Sequence, residues 1–357
     1  MKRHAISLGE RAASASVALI AVLHLFFAAA FFASLLLYAA PAASEERAVC
    51  NGSNLLDAIA VDDPEKMEAI RAEAAETVNG DAILYRVTKP GVAASHVFGT
   101  MHMTDPRILE MPEAALAAFE AAETVVIETT DVLDPSKAMT AMAEHPELMM
   151  FTGETSLTDL LPKEDVELVK AGLEDRGIPF ASVARMKPWM LAAMVALPPC
   201  EMARKNAGAP VLDFKIAGDA KAAGKPVEGL ETIVDQLSAM ASLPMDFHIK
   251  GLVETIRMGK GMEDVVETMI VLYESGETGM FWPMFRAVLP AEPGEEQGYA
   301  AFEEAMVTAR NRTMAENSGP IIDRGGAFIA VGALHLPGET GLVALLEKAG
   351  YTVEPIR

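Results

Sequence analysis

Two histidines stand in the same short pattern, far apart in the chain. The stretch "VFGTMHMTDPR" carries His102 three residues after Gly99, and "FIAVGALHLPGETG" carries His335 three residues after Gly332. In both stretches an apolar run precedes the glycine and turn residues follow the histidine. Glycine at such a position lets the backbone turn tightly or lets a ligand approach closely. The repeated Gly-x-x-His pattern therefore indicates two imidazoles placed for a shared task.

Two carboxylates occupy comparable positions. Glu128 follows the apolar run "TVVI", and Glu231 ends the stretch "KPVEGLE". If these runs are strands of one open α/β sheet, the carboxylates and histidines meet at the strands' carboxyl ends, where functional groups collect. Two imidazoles and two carboxylates would suit a divalent ion such as Zn, Mn or Co. Taken singly, each histidine is also explained as a turn residue, and each glutamate as a helix cap or a solvated group.

The elements that must position these residues follow from the hydrophobic pattern. We predict helices over 63–78, 113–123 and 157–177, and strands in "AILYRVTK", "SHVFGT", "TVVIETT", "KPVEGLE", "AFIAVGALHL" and "YTVEPI". Strands that alternate with helices are typical of an α/β fold with a mostly parallel central sheet flanked by helices. Residues 232–317 show helical spacing and no convincing strand. We therefore expect a large helical insertion between the last strands.

The first 42 residues have the composition of a targeting segment. Lys2, Arg3 and Arg11 precede an uncharged run whose apolar centre spans residues 17–38, and "YAAPAASEE" supplies a small-x-small cleavage pattern. These features favour a secretory signal peptide, whereas the length of the apolar centre also suits an uncleaved anchor in the inner membrane. In either case we expect residues 43–357 to form an extracytoplasmic α/β domain, periplasmic or secreted.

Composition limits the partners. The chain has 357 residues, 51% of them hydrophobic, which is enough for a large core. The formal net charge of −22 argues against nucleic acid as a partner, because each phosphate contact needs Lys or Arg.

Export also affects how the two cysteines, Cys50 and Cys200, are interpreted. In an oxidising compartment the two thiols can form a disulfide that ties the mature N-terminus to the middle of the chain. They are equally well explained as two unrelated small apolar residues.

Methionine is abundant, with 22 residues, and Met186, Met190 and Met194 recur at helical spacing beside Trp189. Such a stripe indicates core packing, or alternatively a pliable apolar groove for peptide side chains. The stretch "MFWPMF" at residues 280–285 fits a rim of that groove or a buried helix connection.

Several segments, taken in order, resemble one known family. The stretches are "VFGTMHMTD", "TVVIETT", "KPWMLAAM", "KPVEGLETIVDQL", "TARNRTMAE" and "FIAVGALHLPGETGLVALLEKAGYTV". They are similar to the successive signatures of the TraB/GumN family, which includes the Tiki metalloproteases. The resemblance runs from about Ala82 to Val353, and the order of the segments makes it specific.

The resemblance implies an exported metal-dependent hydrolase, a peptidase whose partner is a peptide or protein substrate. Carried over to this chain, the paired motifs make His102 and His335 metal ligands together with Glu128. The substrate does not transfer with the fold, and the sequence does not identify the native ion, whether Zn, Mn or Co.

The remaining family positions carry the catalytic roles. Glu128 is the first candidate for general base or ligand, and Glu231 is the second. The family's Arg-Asn pair falls on Arg310 and Asn311, and a fixed guanidinium at Arg310 would stabilise an oxyanion.

Other classes stay open. The sequence contains neither HExxH nor GxSxG, so a standard zincin and an α/β-hydrolase are disfavoured. The alternatives are a non-catalytic metal- or haem-binding protein, and an inactive scaffold in envelope or polysaccharide assembly.

Overall fold

The six predicted strands form one sheet in the computed structural model, which describes residues 49–288 and 296–357. In chain order the strands are β1 Leu84–Thr88, β2 Ser95–Thr100, β3 Thr124–Ile127, β4 Val227–Gly229, β5 Ala327–Gly332 and β6 Thr352–Ile356. Their spatial order is β4-β3-β5-β2-β1-β6. Strands β4, β3, β5 and β2 are mutually parallel, and β1 is antiparallel to both its neighbours. The predicted α/β class with a mostly parallel sheet is confirmed.

The central strands are apolar because both faces of the sheet are covered. Val125 and Phe328 pack into one core cluster, and Val126 and Ile329 pack into another. All four side chains are fully buried. Alternate residues of each strand therefore serve opposite faces, which accounts for the continuous apolar runs in β3 and β5.

Helices cover both faces. Those before β4 are α1 Leu55–Asp62, α2 Pro64–Ala75, α3 Pro106–Leu109, α4 Glu113–Ala121, α5 Pro135–Glu144, α6 Leu157–Leu160, α7 Val166–Glu174, α8 Phe180–Val183, α9 Pro188–Ala196, α10 Pro199–Asn206 and α11 Leu212–Ala222. Those after β4 are α12 Ile233–Ala241, α13 Met245–Met258, α14 Gly261–Glu274, α15 Phe281–Val288, α16 Glu296–Glu303, α17 Ala309–Ile322 and α18 Leu342–Lys348. Within the described parts of 232–317 the chain forms helices and no strand, but helices also fill most of 135–222.

Caps and prolines explain where the predicted helices differ from the observed ones. The helix expected over 63–78 begins at Pro64, because the Asp63 side chain accepts from the Lys66 backbone N–H at 3.0 Å. It ends at Ala75. The helix expected over 157–177 is split into α6 and α7, with Pro162 between them.

Cys50 and Cys200 form a disulfide, with their Cα atoms 5.3 Å apart and a sequence separation of 150. The bond links the segment before α1 to the first turn of α10. Of the two interpretations of the cysteines, the structure therefore has the bonded one.

The methionine stripe belongs to the core. Trp189 and Met190 on α9 are each 2% exposed, and the partly buried Met186 and Met194 pack against a core cluster. The stretch at residues 280–285 is likewise mostly buried and leads into α15. Both segments are core packing rather than an open groove.

The predicted targeting segment, residues 1–42 with its apolar centre at 17–38, lies outside the described residues. In the ranges that the structure describes, no helix combines the length and apolarity needed to cross a membrane.

Candidate active site

The four predicted site residues lie at the carboxyl ends of four neighbouring strands. Glu128 comes directly after β3, and His102 comes two residues after β2. Glu231 lies two residues after β4, and His335 ends a 3₁₀ turn, Ala333–His335, that directly follows β5. Because β4, β3, β5 and β2 are adjacent and parallel, these ends meet at one edge of the sheet. The structure thus brings together residues that are up to 233 positions apart.

Both imidazoles face the same carboxylate oxygen. The Nε2 atom of His102 lies 4.0 Å from Glu128 Oε1, and the Nε2 atom of His335 lies 3.8 Å from it. The same oxygen accepts the Gly332 backbone N–H at 2.7 Å. His102, Glu128 and His335 are all buried, with 8%, 6% and 1% of their surface exposed. The three side chains form a closed polar centre.

The hydrogen bonds at Nδ1 determine what each Nε2 presents. His102 Nδ1 lies 2.7 Å from Asp213 Oδ2, and His335 Nδ1 lies 2.7 Å from Asn311 Oδ1. The Asn311 amide is oriented because its Nδ2 donates to the Thr340 carbonyl at 2.9 Å. A carboxylate and an amide oxygen only accept, so each neutral imidazole carries its hydrogen on Nδ1. Each Nε2 then directs a lone pair toward Glu128, as in histidines that bind metals.

The two motif glycines have different tasks. A Cβ atom on Gly332 would lie 3.2 Å from Glu128 Oε1 and 3.8 Å from His102 Nε2. Gly332 therefore keeps the space between the imidazoles and the carboxylate open. A Cβ atom on Gly99 would instead lie 2.7 Å from Leu336 Cδ1 and 3.1 Å from Ala333. Gly99 allows β2 to pack closely against the turn after β5.

Arg310 joins the two carboxylates. Its Nη2 donates to Glu128 Oε2 at 2.6 Å, and its Nε donates to both Glu231 oxygens at 3.0 and 3.1 Å. Gln236 Nε2 adds bonds of 3.0 Å to Glu128 Oε2 and 2.9 Å to Glu231 Oε1. The oxyanion role of Arg310 stays a prediction. In this arrangement its guanidinium clamps Glu128 Oε2 and Glu231, and Glu128 Oε1 is left facing the histidines.

A π-helical turn precedes Arg310 and Asn311. Residues Glu304–Thr308 form this turn between α16 and α17, and Arg310 Nη1 donates to the Met306 carbonyl within it at 3.2 Å. The adjacent Arg310 and Asn311 reach the carboxylates and His335, respectively. π-Helical turns are rare and are frequent at functional sites.

The charges in the centre shift the pKa values of the carboxylates. Burial alone would raise the pKa of Glu128, but the Arg310 cation and the two histidines outweigh it and lower that pKa below the ordinary range. Burial raises the pKa of Glu231, against the opposing effect of Arg310. Glu128 therefore carries the charge, and Glu231 is the carboxylate that takes the first proton.

The histidines are shifted in opposite directions. Burial, assisted by the Arg310 cation, lowers the pKa of His335 to about 3. Burial also opposes charge on His102, but the Asp213 and Glu128 carboxylates outweigh it and raise the pKa of His102 above its ordinary value. Asp213 therefore makes the two imidazoles electrostatically unequal.

A small cavity lies beside the histidines. Its volume is about 10 Å³, and its lining consists of Thr100, Met101, His102, Tyr273, Phe281, Gly332, Ala333, Leu334 and His335. This is about the space of one water molecule. Tyr273 forms part of the wall, and its hydroxyl donates to the Gly99 carbonyl at 2.8 Å.

The sequence interpretation missed two site residues, Asp213 and Gln236. Asp213 lies in α11, whose sequence "LDFKIAGDAKA" resembles any amphipathic helix. Gln236 lies within "GLETIVDQL", one of the segments that carry the family resemblance, and that was its only signal.

The donor atoms suit a divalent ion, although their spacing is wide. In the described ranges, no group of three or more His, Cys, Asp or Glu side chains is arranged so that it could hold a metal ion. Ligands at the usual 2.0–2.2 Å from one zinc lie about 3.4 Å from each other. Each Nε2 must therefore approach Glu128 Oε1 by about 0.5 Å. The ligand types, the anchored Nδ1 atoms and the space beside Gly332 suit an ion once the two imidazoles have made that approach.

This fold and centre define a class: α/β proteins with a histidine–carboxylate site at the carboxyl edge of a mostly parallel sheet. The chain belongs to the TraB/PrgY/gumN family, whose family model matches residues 83–355. The resemblance seen in the sequence is thereby confirmed.

Two zebrafish proteins are among its relatives. The chain is 22% identical to Metalloprotease TIKI2 of Danio rerio over an alignment of 321 residues, which covers 77% of this chain and 61% of that protein. It is 23% identical to Metalloprotease TIKI1 of Danio rerio over 305 residues, which covers 73% of this chain and 60% of that protein. The chain thus spans about three-fifths of the length of these relatives. No solved structure matches the chain.

Proposed function

We propose that the protein is an exported metal-dependent hydrolase that cleaves peptide substrates, with His102, His335 and Glu128 as ligands of a divalent ion. One observation carries the proposal: two Nε2 lone pairs face one carboxylate oxygen at 4.0 and 3.8 Å. Electron-rich atoms in a buried site repel each other unless a cation or a proton lies between them. The names of the two zebrafish relatives support the metal and the peptidase activity.

The protein's own residues prepare the site for that chemistry. A bound divalent ion would supply the Lewis acidity that peptide hydrolysis requires. Asp213 and Asn311 accept from Nδ1, so each imidazole in its neutral form carries its lone pair on Nε2. Arg310 and Gln236 hold Glu128 Oε2, so that Glu128 presents Oε1 to the histidines.

The two carboxylates take different roles in this proposal. The lowered pKa of Glu128 makes it a weak base and a good ligand. Glu231, whose pKa is raised by burial, is the stronger base of the two and is better suited to accept a proton. It is also the main anchor of Arg310, so its substitution would disturb both functions.

The location is part of the proposal. The disulfide between Cys50 and Cys200 supports an oxidising compartment, where such bonds persist. The N-terminal segment supports export, as a cleaved signal peptide or as an anchor at residues 17–38.

A non-catalytic metal-binding protein is the main alternative. The need for Glu231 and Arg310 distinguishes it from a hydrolase. A carrier needs the ligands, whereas a hydrolase also needs Glu231 and Arg310. The haem form of this alternative has less support, because the cavity beside the two histidines has a volume of about 10 Å³, which is too small for a porphyrin. In an inactive scaffold, substitution of the histidines, Glu231 or Arg310 would leave the protein's function unchanged.

Metal content tests the proposal. We would purify the full chain without chelator, beside His102→Ala and His335→Ala, and measure the bound ions by elemental analysis. We expect about one divalent ion per chain in the wild type and none in the two variants. His145→Ala is the matched control, because His145 is partly exposed and forms a 3.4 Å contact with Glu147 away from the site. A wild-type chain that stays empty after loading with Zn, Mn or Co contradicts the proposal.

If the ion is present, a peptide library incubated with the loaded chain tests hydrolysis. Loss of cleavage in Arg310→Gln and Glu231→Gln variants that retain the ion would favour the hydrolase. Binding of the ion without any cleavage would favour the carrier.

A further inference from the structure

Asp213 is a buried carboxylate with both oxygens directed at the end of β2. Its Oδ1 accepts from the Thr100 hydroxyl at 2.6 Å, and its Oδ2 lies 2.7 Å from His102 Nδ1. Asp213 is 6% exposed and lies in the first turn of α11, where the helix dipole favours negative charge. One carboxylate therefore holds the side chains of Thr100, the last residue of β2, and His102, two residues later.

The segment around His102 depends on side chains for its shape. Residues 101–105 form neither helix nor strand. Glu201, which is fully buried, accepts from the Thr104 backbone N–H at 2.6 Å and from its hydroxyl at 2.8 Å. These bonds fix the backbone after His102 but do not touch its ring. The ring orientation is left to Asp213.

The second histidine is held differently. His335 ends a 3₁₀ turn in which the Leu336 N–H bonds the Ala333 carbonyl at 3.2 Å, and its Nδ1 contacts the neutral amide of Asn311. His335 therefore has local backbone structure and a neutral partner, whereas His102 has a charged partner on a distant helix.

We propose that Asp213 is the positioning residue of the site, which holds His102 with its hydrogen on Nδ1 and its Nε2 directed at Glu128 Oε1. The inference rests on the proposed function where it treats that Nε2 as a metal ligand. Without the Asp213 acceptor, a neutral imidazole is free to carry its hydrogen on Nε2. That hydrogen would then point toward Glu128 and occupy the position of the ion.

Two substitutions test this role. Asp213→Leu removes both acceptor oxygens and keeps the branched shape of the side chain. Asp213→Asn keeps one acceptor but allows an N–H to face His102, so it covers the case in which the leucine variant fails to fold. Asp219→Asn is the matched control, because Asp219 lies on the same helix, is half exposed and pairs with Lys215 at 2.7 Å.

The readouts are the tautomer and the ion. Nitrogen-15 NMR of the histidine-labelled full chain, in chelator at about pH 9, reports which ring nitrogen carries the hydrogen when imidazole is neutral. We expect Nδ1–H at His102 in the wild type and in Asp219→Asn, Nε2–H in Asp213→Leu, and both forms in Asp213→Asn. Competition titration with Zn should give an affinity about 10- to 100-fold weaker in Asp213→Leu, with a smaller loss in Asp213→Asn.

The outcomes separate this inference from the proposed function. An unchanged His102 tautomer in both Asp213 variants overturns the positioning role, even if the affinity falls. Equal Zn affinities in the wild type and both variants overturn it as well. A tautomer that changes as expected in a chain that binds no Zn supports the role of Asp213, and it is the proposed function that then fails.

Discussion

At the residue scale, the cation between the two carboxylates determines whether the centre is stable. Arg310 is 4% exposed and bonds both Glu128 and Glu231. Removing one partner from a buried ionic group leaves uncompensated charge, which typically costs about 3–5 kcal/mol. We therefore expect Arg310→Gln to lower the free energy of unfolding by about that amount.

Urea denaturation measures this loss, and the same helix supplies the control. Arg312 is exposed and pairs with Glu304 at 2.6 Å. Arg312→Gln should cost less than about 1 kcal/mol, as exposed ion pairs do. Equal losses in the two variants would show that Arg310 is not the clamp described above.

The two motif glycines allow a second prediction. Gly332→Ala places a methyl group 3.2 Å from Glu128 Oε1 and 3.8 Å from His102 Nε2, so we expect a folded chain with weakened ion binding. Gly99→Ala places its methyl 2.7 Å from Leu336 Cδ1, so we expect a stability loss of about 1–3 kcal/mol through overpacking.

Thermal denaturation and Zn titration of both variants check this contrast. Gly153→Ala is a neutral control, because a Cβ atom there would meet nothing within 4 Å. If Gly332→Ala bound Zn as well as the wild type, the space beside Gly332 would not be part of the site.

The sequence could indicate some of these residues and not others. His102, Glu128, Glu231 and His335 follow segments with a strand pattern, so strand periodicity together with the sheet-edge rule placed them at one edge. Asp213 comes from a helix on the side of the sheet, and nothing in its neighbourhood marks one acidic residue as buried. The partner of a buried charge is set by tertiary packing, which a local pattern does not record.

At the scale of elements, the strands were predictable and the helix breaks less so. The sequence pattern predicted all six strands, including β4 with its three residues, Val227–Gly229. Breaks at Pro64 and Pro162 follow from known proline chemistry. The π-helical turn at Glu304–Thr308 has no comparable signal, because its sequence "EAMVT" would continue an α-helix.

The disulfide connects two elements that sequence separates, and its removal is the third prediction. Closing a loop of 150 residues restricts the unfolded chain by up to about 5 kcal/mol on the chain-entropy estimate. We expect reductant to lower the free energy of unfolding by about 2–5 kcal/mol. The bond also anchors α10, which carries Glu201, so Zn affinity should fall together with stability.

Urea denaturation with and without reductant measures the effect. In the double variant Cys50→Ser and Cys200→Ser, reductant should change nothing, and its stability should match that of the reduced wild type. A wild-type chain that unfolds identically in both conditions would mean that the bond does not contribute to stability.

At the scale of the whole molecule, the fold class followed from composition and alternation, but the strand order did not. Strand β2 pairs with β5 although more than 200 residues separate them, and that pairing is what joins the two Gly-x-x-His motifs. In the sequence, the repeated Gly-x-x-His motif was the one indication that β2 and β5 are neighbours. Register and order depend on how whole faces pack, which no local window contains.

The charged groups of the site should make the stability of the whole chain depend on pH. His335 has a pKa of about 3 when folded, against about 6.5 in an unfolded chain. Between these values the unfolded chain binds a proton that the folded chain does not, so stability falls as the pH falls below about 6.5. His102, whose folded pKa is raised, acts in the opposite direction: its contribution is complete below about 6.5 and is lost as the pH rises through the folded pKa.

Comparison of variants isolates the His335 contribution in the metal-free chain. We would measure the free energy of unfolding in urea with chelator at about pH 7 and about pH 5 for the wild type, His335→Gln and His145→Gln. Glutamine does not titrate, so His335→Gln should lose less stability than the wild type between these values. His145→Gln is the control for the loss of one imidazole, because His145 is partly exposed and contacts Glu147 rather than the site residues. If all three chains lost the same stability, the neutral state of His335 would not be enforced by its burial beside Arg310.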